Sequence, residues 1–279
     1  MRLRDRCFDP FERQVMAILN VTDDSFYDAS RVVSEQAIRN RVVESIEQGA
    51  STIDIGGYSS RPGAKDVSVE EEWQRVERGL RIVREISADV IISIDTFRAE
   101  IARRAVEMVG EVIVNDISAG EIDPAIIDVV AQHDLPYIAM HMRGVPQTMQ
   151  SLTDYEEGVV KAVCDYFIQR SEELHRRGVK QLILDPGFGF AKSVEQNFEL
   201  LSSLNKLVAL GYPVLAGLSR KSMIYRTLNI TPEESLAGTI ALNWEALRQG
   251  ATILRVHDVK EARQTVELYN KLKRSCLTR

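Results

Sequence analysis

Eight short apolar runs recur along the chain, at residues 15–19, 52–55, 90–94, 112–114, 137–140, 182–184, 214–218 and 253–256. Each has strand length, and several are rich in Val and Ile, as expected of strands buried on both faces. A polar or glycine-containing turn follows each run, and then a stretch with helical spacing. Trp73, Val76, Leu80 and Val83 mark one helical face, and Phe198, Leu201, Leu204 and Val208 a second. Leu236, Ile240, Trp244 and Leu247 mark a third, and Val259, Ala262, Val266 and Tyr269 a fourth. Gly49, Gly110, Gly178, Gly211 and Gly250 fall between a helical stretch and the next strand, where a left-handed residue ends a helix. Eight such units without a linker or low-complexity segment predict an α/β fold. The expected architecture is a single (β/α)8 TIM barrel over residues 1–279, with residues 1–14 a short N-terminal extension covering the barrel's N-terminal end. Periodicity alone does not separate this from a doubly wound open sheet.

The chain has 279 residues, 44% of them hydrophobic, which suffices for one large core. No run of 18 uncharged apolar residues occurs, and Met1-Arg2-Leu3-Arg4-Asp5-Arg6 lacks the apolar stretch of a signal peptide. A cytoplasmic protein with no membrane partner is expected. Cys7, Cys164 and Cys276 are scattered and lack CxxC spacing, which argues against a disulfide framework or a zinc site. A net charge of −6 argues against nonspecific nucleic-acid binding, though a local basic pocket can still take a small anion.

In a barrel of this class, chemistry collects where strands end and lead into helices. Strand one ends in Asn20, strand three in Asp95, strand four in Asn115-Asp116, strand five in His141 and strand six in Asp185. Strand seven ends in Ser219-Arg220-Lys221-Ser222, and strand eight in Arg255 and His257. Helix caps account for some Asp, Asn and Ser residues, but not readily for Lys221, Arg255 or His257. The ring implies one polar pocket at one barrel mouth. The loops after strands one and two are long, and mix glycine, hydroxyls, charge and aromatic rings, a composition suited to folding over a ligand.

At these loops the chain resembles a known family. Ala17-Ile18-Leu19-Asn20-Val21-Thr22-Asp23-Asp24-Ser25-Phe26 is similar to the first signature of dihydropteroate synthases, and residues 54–64 to the second. Further matches follow in the family's order: Ser93-Ile94-Asp95-Thr96, Val114-Asn115-Asp116-Ile117, Met140-His141-Met142 and Leu184-Asp185-Pro186-Gly187-Phe188-Gly189-Phe190. Ser219-Arg220-Lys221-Ser222 and Arg255-Val256-His257-Asp258-Val259 complete the set, which spans residues 17–259. The chain departs from the family at Asp23, usually proline, at Tyr58, usually glutamate, and at Ser60, usually threonine.

The resemblance implies displacement of pyrophosphate from 6-hydroxymethyl-7,8-dihydropterin pyrophosphate by the arylamine of p-aminobenzoate, through a dissociative step. It implies a pterin pocket of Asp95, Asn115, Asp185 and Lys221, suited to a flat edge whose donors and acceptors are costly to bury unpaired. It assigns Asn20, Arg255 and His257 to the pyrophosphate, with Asn20 also a ligand of Mg²⁺ carried in by the phosphates. Asp28 is placed to stabilise the methylene cation, Arg61 to hold the closed loops, and Lys221 is counted with them as catalytic. Phe26, Ser60, Pro62, Phe190, Lys221 and Ser222 form the p-aminobenzoate pocket, which sulfonamides would mimic their way into. A homodimer formed through the outer helices is also implied.

Other features read as structural. Asp54 orders the barrel interior or the second loop, and His141 bounds the pocket. His133 and His175 lie on the surface, Trp73 and Trp244 pack on the barrel, and residues 70–72 form a solvated first helical turn. Two rival readings are a pterin-binding methyltransferase barrel and a noncatalytic pterin-binding paralogue. The first needs neither Ser219-Arg220-Lys221-Ser222 nor the Arg255/His257 pair; the second is expected to lack Asp28, Arg61 or Lys221.

Overall fold

Successive side chains on a strand point to opposite faces, and here that alternation builds two cores. The computed structural model describes residues 2–3, 6–7, 12–21, 35–59, 66–145 and 148–277. All eight predicted strands form: β1 (Gln14–Asn20), β2 (Thr52–Gly56), β3 (Ile91–Asp95), β4 (Ile113–Asp116), β5 (Pro136–Met140), β6 (Gln181–Asp185), β7 (Leu215–Ala216) and β8 (Ile253–Val256). They pair parallel in chain order from β1 to β6, while β8 pairs with both β1 and β7. A parallel bridge between Leu184 and Val214 joins β6 to the start of β7, so the sheet returns on itself as a (β/α)8 barrel. The open-sheet alternative is thereby excluded.

The inward positions Met16, Ile113, Ile138, Ile183, Leu215 and Ile253 make a small closed apolar plug. Their outward neighbours, such as Ala17, Ile53, Ile92, Val114, Leu184 and Leu254, join a much larger core against the helices. Outer helices follow the strands: α1 (Glu35–Glu47), α2 (Val69–Ile86), α3 (Ala99–Val109), α4 (Ala125–Gln132), α5 (Val159–Arg176), α6 (Val194–Ser202) with α7 (Leu204–Val208), α8 (Ser222–Leu228) with α9 (Leu236–Arg248), and α10 (Val259–Leu277). The glycine turns behave as read; Gly110 ends α3 at φ +86 and Gly250 precedes β8 at φ +105.

Four expectations need correction. The seventh strand was expected over residues 214–218, but its ladder covers Leu215–Ala216. Pro213 has no N–H to give, and its carbonyl accepts from Leu184 N at 2.9 Å. The inner face of α9 is Thr239, Asn243, Ala246 and Leu247; Leu236, Ile240 and Trp244 are only half-buried. Gly238 brings α9 close against α8, where an added Cβ would lie 2.3 Å from Ile224, and this contact rotates the helix away from its most apolar face. Trp244 packs edge-on against Tyr269 of α10, 5.8 Å between ring centres, rather than on the barrel. Residues 70–72 are not a wholly solvated turn either. Glu72 is fully buried, accepting from Thr96 Oγ1 at 2.7 Å and from Arg98 Nη1 at 2.8 Å. It fastens the start of α2 to the loop after β3. The N-terminal extension forms a short antiparallel ribbon, Arg2–Leu3 with Arg6–Cys7.

Candidate active site

Strand register lines up the C-terminal rim. Asn20, Gly56, Asp95 and Asn115 stand side by side across β1 to β4, and Met140 is opposite Asp185 across β5 and β6. A Cβ at Gly56 would come within 3.4 Å of Asn20 Oδ1 and 3.6 Å of Asp95, so glycine keeps the rim open between them.

Two residues down from Gly56, Asp54 faces the barrel axis and is fully buried. Its Oδ2 accepts from Arg255 Nε at 2.6 Å and from Asn115 Nδ2 at 3.1 Å. The same guanidinium donates Nη2–H to Asp95 Oδ2 at 2.5 Å. One arginine thus bridges two carboxylates, while Asp54 orients both the arginine and the amide. This is the ordering role expected of Asp54. Burial pushes the Asp95 carboxyl up to about 7; Arg255 opposes the rise, and Asp54 adds to it.

Asp185 is buried across the mouth and accepts from Gly187 N at 2.8 Å. Burial raises its carboxyl, while Lys221, the Gly187 N–H, Arg255 and Lys192 pull it back. Lys221 stands at the N-cap of α8. Its Nζ donates to Phe188 O and lies 4.6 Å from the centre of the Phe190 ring. Burial pushes that ammonium down to about 8, with Asp185 opposing. Ser222 opens α8, half-buried beside Lys221.

At the end of β8, Ser219 Oγ accepts from His257 N at 3.2 Å and contacts His257 Nδ1 at 3.0 Å. The hydroxyl thus holds both the backbone and the ring of His257. Burial, Arg255 and Arg220 push His257 down to about 4. At neutral pH it is an uncharged ring rather than a resident cation. Arg220 adopts the left-handed region, φ +56, and its guanidinium pairs with Asp258 at 2.6 and 3.1 Å. That pair ties the loop after β7 to the one after β8.

Arg255 joins Asp95 directly and Asn115 through Asp54, Asp185, Lys221 and His257 lie within electrostatic reach of Arg255, and Asn20 stands on the same rim. Phe26, Asp28, Ser60, Arg61 and Pro62 lie outside the described residues, as does Asp23. Tyr58, at the foot of the second loop, packs edge-on against Phe97 at 5.1 Å, with Arg98 5.3 Å from its ring. Among the described residues no group of three His, Cys, Asp or Glu side chains could hold a metal ion.

His141 was expected to bound the pocket. It lines a cleft of about 470 Å³ with Arg143, Tyr166 and Glu121, and its backbone carbonyl abuts the Gly187 turn beside Asp185. Its ring packs edge-on against Tyr166 at 4.9 Å. The partner of its Nδ1 is Lys192, 3.0 Å away, a buried residue that the sequence reading did not single out. Lys192 precedes a serine helix cap, where a lysine reads as solvated; only its nearness to residues 184–190 hinted otherwise. Exposed His133 and His175 agree with their reading as surface residues.

Comparison with known proteins places this geometry. The family described as pterin binding enzyme matches residues 16–257. Dihydropteroate synthase of a Synechocystis species is 44% identical over 261 residues, covering 92% of this chain and 89% of its own. The structure of Yersinia pestis dihydropteroate synthase with a sulfonamide drug superposes with a TM-score of 0.91 at 35% identity, covering 98% of each chain. Xanthomonas albilineans dihydropteroate synthase in complex with 7,8-dihydropteroate gives a TM-score of 0.84 at 33% identity, covering 95% of each.

Proposed function

The chain belongs to the pterin binding enzyme family, and we propose from that premise that it is a dihydropteroate synthase working through the mouth just described. It condenses 6-hydroxymethyl-7,8-dihydropterin pyrophosphate with p-aminobenzoate. The methylene C–O bond to pyrophosphate breaks, a C–N bond to the arylamine forms, and the amine loses one proton. The products are 7,8-dihydropteroate and pyrophosphate, and the activity is that of a transferase in folate synthesis. The observation that carries this reading is the Asp54–Arg255–Asp95 bridge with Asp185 and Lys221 in one buried mouth.

Asp185, Asn115, Asp95 and Lys221 read the pterin edge. Their donors and acceptors are already held by buried neighbours, so little reorganisation is needed when the ring enters. Arg255 and His257 receive the pyrophosphate. Phe190 and Ser222 flank the arylamine, Ser222 at the start of α8, where backbone N–H groups favour a carboxylate. Phe26, Ser60 and Pro62 complete that pocket from the two long loops. Asp28 faces the methylene carbon as it becomes cationic, and Arg61 holds the loops over it. Asn20 offers one amide oxygen, a donor set that fits Mg²⁺ only when phosphate oxygens supply most of the remaining ligands. When bound, that ion neutralises the departing diphosphate. We also propose a cytoplasmic homodimer formed through the outer helices. The half-buried Leu236, Ile240 and Trp244 of α9 support this, and no helix among the described residues is long and apolar enough to cross a membrane.

The direct test is an assay of purified protein with pterin pyrophosphate, p-aminobenzoate and Mg²⁺. Dihydropteroate and pyrophosphate should appear in equal amounts, with sulfonamides competing against p-aminobenzoate; absence of product sinks the reading. A second measurement isolates Asp28. Asp28→Asn should leave pterin binding intact and lower kcat by about 10²-fold, the scale of losing one preorganised electrostatic contact. Unchanged turnover in that variant removes Asp28 from the chemistry.

A further inference from the structure

Lys192 lies between the turn after β6 and the start of α6, a position where lysine normally reaches into water. Here it is only 5% exposed. Its Nζ contacts His141 Nδ1 at 3.0 Å, Gly187 O at 3.0 Å and Phe190 O at 2.9 Å. In its ammonium form it donates to all three; burial pushes that ammonium down to about 7, with Asp185 opposing. With that form His141 Nδ1 is the bare acceptor and the ring proton sits on Nε2. Burial and the charges of Lys192 and Arg143 push the imidazole down to about 2, which keeps it a neutral acceptor.

The turn that Lys192 grips is left-handed at three residues, at a steric cost only where Ala191 stands. Gly187, Gly189 and Ala191 all sit at positive φ, +68, +82 and +49. A Cβ at Gly187 would lie 2.1 Å from His141 O, so the turn presses directly on the loop after β5. Asn197 of α6 holds Gly189 N at 2.7 Å from the opposite side. Gly187 links the two ends of this arrangement: its N–H donates to Asp185 and its C=O accepts from Lys192. Any displacement at Lys192 is passed through one residue to the carboxylate.

We infer that Lys192 is a positioning residue: by holding Gly187 O and Phe190 O it sets the angle at which Asp185 meets the pterin. This rests on the reading of Asp185 as a pterin contact. The groups facing Asp185 are Lys221 at the start of α8, the Gly187 N–H, Arg255 of β8, and Lys192. Those facing Lys192 are Asp185, Lys221 and Arg143. Asp95 answers to Arg255, Asp54, Glu72 and Asp116, so its titration is common to wild type and a Lys192 variant.

The test is titration of the full-length protein with pterin pyrophosphate, without arylamine, at a series of pH values. Lys192→Met keeps the length of the side chain and removes its charge and donors. Affinity should fall about tenfold or more, the effect of losing charged hydrogen bonds behind the contact. The acid limb of binding should also move to higher pH, because a cation that favoured ionised Asp185 has gone. Affinity within about twofold of wild type, or a fall with an unmoved acid limb, overturns the inference. If Lys192→Met does not fold, His141→Phe decides: it removes one acceptor and keeps the ring volume. A several-fold loss of affinity there supports the inference, and no loss overturns it. Asp185→Ala is titrated in parallel. Normal binding by that variant would mean the pocket itself is misassigned, whereas lost binding beside normal binding by Lys192→Met refutes the Lys192 role alone.

Discussion

Asp185→Ala should abolish detectable pterin binding while the protein remains folded. The carboxylate is buried, its backbone is fixed by β6, and Gly187 N occupies one lone pair of Oδ1. Its remaining lone pairs are the acceptors a pterin edge with adjacent N–H groups requires. Each hydrogen bond to a charged acceptor contributes about 1.5–3 kcal/mol. Losing two of them therefore weakens binding by about 3–6 kcal/mol, or roughly 10²–10⁴-fold. The variant also leaves Lys221 without the carboxylate that offsets its burial, so turnover should not recover at saturating pterin. The cost to the fold is smaller, because the buried charge that is removed was itself unfavourable: its carboxyl is raised by burial. Calorimetric titration, with circular dichroism to verify folding, reads both quantities. Binding within threefold of wild type, on the scale of a single neutral hydrogen bond, would remove Asp185 from the pocket.

Arg255→Met should be the most damaging single change to stability in the mouth. Methionine fills much of the same space but supplies no charge, and two carboxylates are left facing each other. Asp54 is fully buried and, among the described residues, its Oδ1 already has no partner. Removing one member of a buried ion pair costs about 3–5 kcal/mol. The loss should depend on pH in a definite direction. Asp95 titrates at about 7 in the fold against an ordinary value of 3.8, so its folded form favours the proton. Stability from that proton is present in full below the unfolded value and is lost as pH rises through the folded value. Arg255 is the largest influence holding that carboxyl down, and without it the window extends further upward. Denaturation of Arg255→Met should therefore show a deficit that shrinks as pH falls from about 7.5 toward 5.5, while wild type changes less over the same span. A deficit independent of pH would mean that the bridge is not what stabilises this layer. Pyrophosphate binding should fail in the same variant at every pH.

Much of the site was legible before the fold was known because it lies at strand ends. A parallel barrel strand leaves its last inward residue at the mouth, so Asn20, Asp95, Asn115 and Asp185 could be placed from the apolar runs that precede them. Lys221, Arg255 and His257 were conspicuous because no helix cap explains them. Two kinds of information were less accessible. The α9 face was misread because its inner surface is Thr239, Asn243, Ala246 and Leu247, a consequence of Gly238 lying against α8. Glu72 and Lys192 look like solvated helix-start residues, and only their neighbours make them buried ions.

The sequence by itself determined the strand count, the alternation of strands with helices and which strand ends carry chemistry, because these follow from apolar periodicity and the residues where it stops. Tertiary structure alone decided the pairings: Arg255 between Asp54 and Asp95, His257 as a neutral ring held by Ser219, Lys192 beneath the turn of Asp185. Those partners are as many as 201 residues apart in the chain. Whether a charge is buried, and what answers it, depends on atoms brought together by closure of the barrel, and local sequence spacing carries no record of that.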